Sequence, residues 1–467
     1  MLGGSQTASP GLRVPLVWPL IVLLLVGFGS AGVAAQAPRQ LAPVPETAAD
    51  SGPPSLEELG EDEGIPVAVP TPSEKALRYY RTGMWLWAGN QLWDILLPAL
   101  FAFTGLSARL RDGCQRIGRR WFASLVLFLL AYLTVVFLVN FPLAFYQGFV
   151  RQHAYGLSNQ TFSKWFTDRI LGLGIGMGVA CALGWVPYLL LERSPRLWWL
   201  ITTLLSIPFL LFAIMIKPIW VDPLFNRFGP MQDKQLEASI LKLAGRAGIE
   251  GGRVFEVNKS VDTKAVNAYV TGIGSTKRIV LWDTLLHKLN EREVLFVMAH
   301  EMGHYVMGHV VRSIVLSSLL ILAALYLVDR LGRALVARFS KPLGFSSLAD
   351  IASLPLLLML LGCCELALSP VALAYSRYQE TEADRFALEL TGLKRSGALA
   401  FVKLQEENLS NPRPGPLYRM FRATHPSIAE RIERCNEFRR PDPKASGSWT
   451  PGAEATSQLL PATFLTR

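Results

Sequence analysis

Apolar runs of membrane-spanning length recur along the chain, near residues 15–35, 84–106, 122–147, 170–191, 197–216, 312–328 and 352–375. A helix needs roughly 20 such residues to cross a bilayer. Several runs exceed that, so the pattern predicts a polytopic membrane protein with six or seven helical spans. Residues 36–74 break the pattern: they are rich in Pro, Ala, Glu and Asp, lack hydrophobic periodicity and read as a disordered acidic linker. From Arg440 onward the chain is rich in Pro, Ser, Thr and Gly and reads as a loose tail. The first apolar run follows a weakly basic start (Arg13) and ends in Val33-Ala34-Ala35, small residues of the kind signal peptidases accept. It is either a cleaved signal or a first span.

Between the fourth body span and the run at 312–328 the pattern turns polar. Leu236 to Gly245 has helical spacing, and three strand candidates follow: Arg253 to Val257, Ala265 to Ile273 and Lys277 to Trp282. The last two flank Gly274-Ser275, a hairpin turn signal. Asn290 to Val310 reads as one helix, with Asn290 as N-cap and Glu293 at the capping-box position. The expected fold class is mainly α: a polytopic helical membrane protein with an α+β region, a small β-hairpin plus this helix, whose His300-Glu301-Met302-Gly303-His304 (H-E-x-x-H) makes it a zincin-like catalytic unit. The boundaries run 1–35 (signal or first span), 36–83 (linker), 84–217 (four spans), 218–310 (first half of the catalytic region), 311–375 (two spans), 376–439 (its second half) and 440–467 (tail).

Composition agrees with the membrane reading: 51% of residues are hydrophobic, and the mean hydropathy is +0.30. The net charge of +10 suits Arg-rich loops. No Lys/Arg run is interleaved with aromatics, so nucleic acid is not an expected partner. The five cysteines (Cys114, Cys181, Cys363, Cys364, Cys435) are odd in number and lack C-x-x-C spacing. They read as small buried residues rather than a disulfide frame or metal ligands.

The chemistry lies at His300-Glu301-Met302-Gly303-His304. Positions i and i+4 share a helix face, so both imidazoles can hold one zinc ion, with Glu301 beside them to take a proton from water. Only six histidines occur in the chain, and His300, His304 and His309 fall within ten residues. On a continuous helix His309 is turned about 140° from His304. It is therefore not taken as a ligand, and its replacement by alanine is expected not to lower bound metal. A third ligand is still needed. Glu380, with Asp384 one turn on, is the candidate, Asp384 serving either beside the metal or as acceptor for a ligand imidazole. The competing reading of these carboxylates is a solvated acidic face.

The chain resembles the integral-membrane CAAX prenyl proteases, zinc endopeptidases that trim prenylated C-terminal motifs. The resemblance rests on Tyr155-Gly156-Leu157-Ser158-Asn159-Gln160-Thr161, Pro223-Leu224-Phe225-Asn226-Arg227-Phe228 and Val266-Asn267-Ala268-Tyr269, on the H-E-x-x-H, on Ser376-Arg377…Glu380…Ala383-Asp384, and on His425-Pro426…Arg431. It implies one zinc ion per chain held by His300, His304 and Glu380, with Glu301 as general base and Asp384 as an acid close to the metal. It also implies that Asn267 and Ala268 lie on an edge strand that holds substrate, and that His425 and Arg431 lie near the scissile carbonyl. The implied partners are a peptide or membrane-protein substrate and the lipid bilayer. A broad-specificity quality-control peptidase is the alternative within the enzyme class. Outside it stands an ion transporter, for which Asn90, Gln91 and Asp94 in the first body span speak.

Composition and the acidic linker point to a bacterial inner membrane. The Arg-rich loops, Ala108 to Arg120, Glu192 to Arg196 and Asp329 to Lys341, fall on one side of a six-span body. Short basic loops face the cytoplasm, which puts the metal helix on the outer, periplasmic side. Lys75, Arg78 and Arg81 argue the other way, as does the cytosol-facing site that the resemblance implies for eukaryotic members.

Overall fold

The computed structural model of the chain describes residues 65–249, 251–271 and 278–439. The first apolar run, residues 36–64 of the linker, the Gly274-Ser275 turn and the tail from Arg440 lie outside the described residues. The fold is mainly helical. α1 (Glu74–Phe103) starts where the Ser73 hydroxyl caps the Ala76 amide at 3.2 Å. It ends at Phe103; Gly105, with a φ of +70° that only glycine adopts cheaply, then turns the chain, and α2 (Leu106–Gly118) leaves at 62° to α1. α3 (Trp121–Ala154), α4 (Phe162–Arg193) and α5 (Trp198–Ile216) follow. These three helices, with α9 (His309–Leu343) and α10 (Leu354–Thr391), are long and apolar enough to cross a membrane. α1 reaches that standard only together with α2. The run expected at 312–328 is thus part of a 35-residue helix.

Between α5 and α9 lies the polar region: β1 (Phe228–Pro230), α6 (Lys234–Arg246), β2 (Arg253–Val257), β3 (Ala268–Thr271), β4 (Arg278–Trp282), α7 (Asp283–Lys288) and α8 (Glu291–Val306). The strands form one sheet in the order β1-β2-β4-β3, larger than the hairpin the sequence predicts. β2 and β4 run parallel, with Val254 opposite Ile279, while β3 and β4 run antiparallel, with Ala268 opposite Leu281. After α10 come α11 (Lys394–Glu407), α12 (Pro416–Phe421) and α13 (Ile428–Glu437). One core joins these parts: Ile240 from α6, Ile279 and Leu281 from β4, Phe296 and Met298 from α8, Phe386 from α10, Phe401 from α11 and Ile432 from α13 are all buried.

The Arg-rich loops meet at the opposite end. Ser107 on α2 donates to the Ala352 carbonyl at 2.7 Å, Arg111 pairs with Asp350, and Arg333 on α9 donates to the Pro195 carbonyl. Trp198 Nε1 donates to Asp329 Oδ1 at 2.7 Å. A second core, with Phe128, Tyr132, Trp198, Val328 and Leu356, fills this end. α9 and α10 each run from one end to the other. α10 carries the apolar run at 352–375 without a break into the turns that hold Glu380 and Asp384.

Candidate metal centre and active site

The start of α8 is fixed by its sequence. The Asn290 side chain accepts from the Glu293 amide at 3.0 Å, and the Glu293 carboxylate accepts from the Asn290 amide at 2.8 Å, so two otherwise orphaned donors are satisfied. Glu293 is buried, and Lys403 on α11 meets its carboxylate at 2.6 Å. Gly303, inside the H-E-x-x-H, is where α10 comes closest. A Cβ there would lie 3.0 Å from the Phe386 ring, so glycine lets α10 bring its carboxylates alongside the histidines.

His300 and His304 turn toward α10 as their i, i+4 spacing requires. Their Nε2 atoms are 3.2 Å apart. Glu380 Oε2 lies 3.2 Å from His300 Nε2, and Oε1 lies 3.4 Å from His304 Nε2. The three side chains offer ligand atoms within 4.8 Å of one another. Glu380 is only 4% exposed, yet its Oε2 accepts no well-aligned hydrogen bond. A buried carboxylate oxygen without a partner is costly. Two imidazole nitrogens and that oxygen are the donor set that a tetrahedral divalent cation with one open position takes. The residues present therefore fit a metal.

Around this set the described residues fall into two layers. Asp384 does not join the three ligand atoms. Its Oδ1 sits 2.9 Å from Nδ1 of His300, the nitrogen turned away from Glu380. Arg431 Nε donates to the other oxygen of Asp384 at 2.9 Å, and Arg434 Nη1 does so at 3.1 Å. Arg431 is itself buried, with its guanidinium 4.0 Å from the centre of the Phe401 ring. Burial alone would lower the pKa of His300, but the carboxylates of Asp384 and Glu380 beside it outweigh this and raise it to about 9. Any cation bound there competes with a proton. Burial raises the carboxyl pKa of Glu301, toward the range a general base needs near neutral pH.

His425, from the segment before α13, places Nε2 3.2 Å from Glu380 Oε2. Burial pushes its pKa down to about 4, so the ring is neutral at pH 7. Thr424 Oγ1 lies 2.7 Å from its Nδ1. With the hydroxyl donating there, the ring proton is on Nε2, facing the site. Asn267 directly precedes β3, and its carbonyl accepts from the Trp282 amide at 3.1 Å. β3, which begins at Ala268, is the outermost strand of the sheet on the side of β4, and it packs against α8.

His309 corrects the sequence reading. Asn290 to Val310 is not one helix: α8 ends at Val306, Gly308 takes φ +64°, and His309 opens α9. The ring therefore swings back, and its Nδ1 lies 2.8 Å from Nδ1 of His304. It remains outside the three converging ligand atoms. Sequence reasoning also passed over Arg434 and Thr424. Arg434 had a signal, three residues after Arg431 on one face of an amphipathic helix; Thr424 had none beyond its place next to His425.

Comparison with known proteins agrees with both halves of this architecture. Residues 230–439 match peptidase family M48, and residues 70–227 match the CAAX prenyl protease N-terminal family, described as five membrane helices. The metalloprotease YhfN of Bacillus subtilis is 36% identical over 391 residues, which cover 81% of this chain and 92% of that protein. CAAX prenyl protease 1 of Saccharomyces cerevisiae is 31% identical over 313 residues, 63% of this chain and 68% of the relative. The crystal structure of S. mikatae Ste24p superposes with a TM-score of 0.67 at 26% identity, covering 77% of this chain and 87% of that one. With an M48 catalytic region folded onto membrane helices of this kind, the chain belongs to the CAAX prenyl protease family and is a multi-pass integral-membrane metalloprotease.

Proposed function

We propose that this protein is a zinc-dependent endopeptidase that cleaves extended segments of membrane-associated proteins, including C-terminal CAAX-type segments. The observation that carries the proposal is the convergence of buried His300 and Glu380 and half-buried His304, with Glu301 on the same helical turn as the two histidines. Those three residues would hold the zinc. When bound, it supplies a Lewis acid that polarises the scissile carbonyl and acidifies water.

The chain's own residues do the rest. Glu301, raised by burial, takes a proton from the attacking water and passes it to the leaving amine. His425, neutral and held by Thr424, points its Nε2 proton toward the oxygen that gains charge. Arg431 holds Asp384, and Asp384 in turn fixes the ring of His300. The edge strand β3, which Asn267 leads into and Ala268 begins, would take the substrate backbone as an added strand. Of the three residues that speak for a transporter, Asn90 is already paired with Gln147 across α1 and α3, at 3.1 and 3.0 Å.

The three Arg-rich loops gather at the end opposite the site, and the positive-inside bias makes this clustering support an active site on the outer face of a bacterial inner membrane. A reporter active only outside the cytoplasm, fused after His425, should give signal; silence reverses the orientation. For the function itself, purified protein should lose cleavage of a membrane-anchored peptide on chelation and regain it with zinc. Cleavage that survives full removal of metal contradicts the proposal. Equal turnover of anchored and soluble unfolded substrates would favour the quality-control reading over CAAX-type processing.

A further inference from the structure

His309 has no place in the chemistry described above, although it is one of the most buried polar residues of the region, at 3% exposure. It is held from several sides. Its backbone carbonyl accepts from Gln379 Nε2 at 3.1 Å, and Gln379, the residue before Glu380, accepts in turn from the Ser313 hydroxyl at 3.0 Å. Its Nε2 faces Glu382 at 3.4 Å, a carboxylate that Tyr378 also meets, at 3.1 Å. The Gly308 break is what brings the ring over His304; an unbroken helix would carry it away.

The proton positions follow from the roles. If Nε2 of His304 is to donate a lone pair to a metal, its proton must sit on Nδ1. The atom 2.8 Å from that Nδ1 is Nδ1 of His309, which must then accept, leaving its own proton on Nε2, a buried nitrogen 3.4 Å from Glu382 that makes no hydrogen bond among the described residues. The two ligand histidines are thus backed differently. His300 has the carboxylate of Asp384 behind it, and His304 has a neutral imidazole behind it.

We propose that His309 is a positioning residue for the metal site: its Nδ1 accepts the Nδ1 proton of His304 and so fixes that ligand's tautomer and ring orientation. The proposal rests on the zinc-site reading and deepens it. Outer acceptors of this kind typically change metal affinity by about 10- to 100-fold when removed, because the ligand ring must otherwise find its donating geometry unaided. His309 also opens the membrane-spanning helix α9, so the acceptor is carried by a membrane-spanning helix rather than by the catalytic helix.

The test is the zinc dissociation constant by competition with a chromophoric chelator, on the full-length protein in detergent. His304→Ala comes first: unchanged affinity there would refute the zinc-site reading itself, independently of His309. Against that control, His309→Leu keeps the volume but removes the acceptor, and it should weaken zinc binding about 10- to 100-fold. His309→Asn puts an amide oxygen close to the position of Nδ1, and it should bind within about fivefold of wild type. A packing role alone predicts the reverse order, since leucine fills a buried apolar site better than asparagine. Wild-type affinity in His309→Leu, or His309→Asn no tighter than His309→Leu, overturns the assignment. Should the leucine variant not fold, His309→Gln replaces it, since its oxygen falls nearer the position of Nε2. Equal affinities of the Asn and Gln variants would then overturn it.

Discussion

At the Arg-rich end, Asp329 accepts from Trp198 at 2.7 Å and from Arg333 at 2.9 Å, while Arg111 lies between Asp112 and Asp350. At the other end, the buried carboxylates of Glu380 and Asp384 face His300, His304, His425, Arg431 and Arg434. Both ends pair acids with bases on membrane-helix termini. They differ in what is left over. The first end closes on itself: the Asp329 carboxylate already has its donors, and Arg111 and Arg333 reach carbonyls and acids. The second keeps a remainder, a carboxylate oxygen and two imidazole nitrogens aimed at one point. Polar groups that hold a fold together are satisfied by the fold; polar groups kept for chemistry are incomplete without a ligand or substrate.

If that contrast is correct, removing a carboxylate should act differently at the two ends. Glu380→Gln removes a ligand charge and should cut bound zinc to below about a tenth of a mole per mole, since three protein ligands are needed; metal analysis after desalting reads this out. Asp384→Asn leaves the ligands in place but removes the charge-assisted acceptor of His300 and the carboxylate partner of a buried arginine. Zinc affinity should fall about 10- to 100-fold, and stability should fall by about 3 kcal/mol, as when one partner of a buried ion pair is lost. Asp329→Ala, by contrast, should cost about 1–3 kcal/mol for the unsatisfied Trp198 donor, while zinc affinity and kcat/KM stay within twofold of wild type. A loss of metal in Asp329→Ala would dissolve the distinction between the two ends.

Much of this was legible in the chain. The apolar runs give the spans because bilayer thickness sets their length, and five of the six expected in the body appear as single long helices. The H-E-x-x-H spacing and the Asn290 capping box are local, so His300, Glu301 and His304 could be read from periodicity alone. Glu380 could not be fixed by spacing. It lies 76 residues beyond His304, and only the close approach of α10 at Gly303 brings it to the metal group. The displaced reading of His309 has an equally local cause. A single glycine in the left-handed region resets the helical phase, and a 3.6-residue period extrapolated across it points the ring the wrong way. β1 escaped notice because a three-residue strand containing proline carries almost no alternation.

The central claim, that the remainder at the site end is a zinc-held hydrolytic centre with Glu301 as its base, is tested most directly by one variant. Glu301→Gln should retain about one zinc per chain, because all three ligands remain, while kcat/KM on a membrane-anchored peptide falls by at least about 100-fold, the lower range for a lost general base. Cleavage within tenfold of wild type, with zinc in place, would contradict the account.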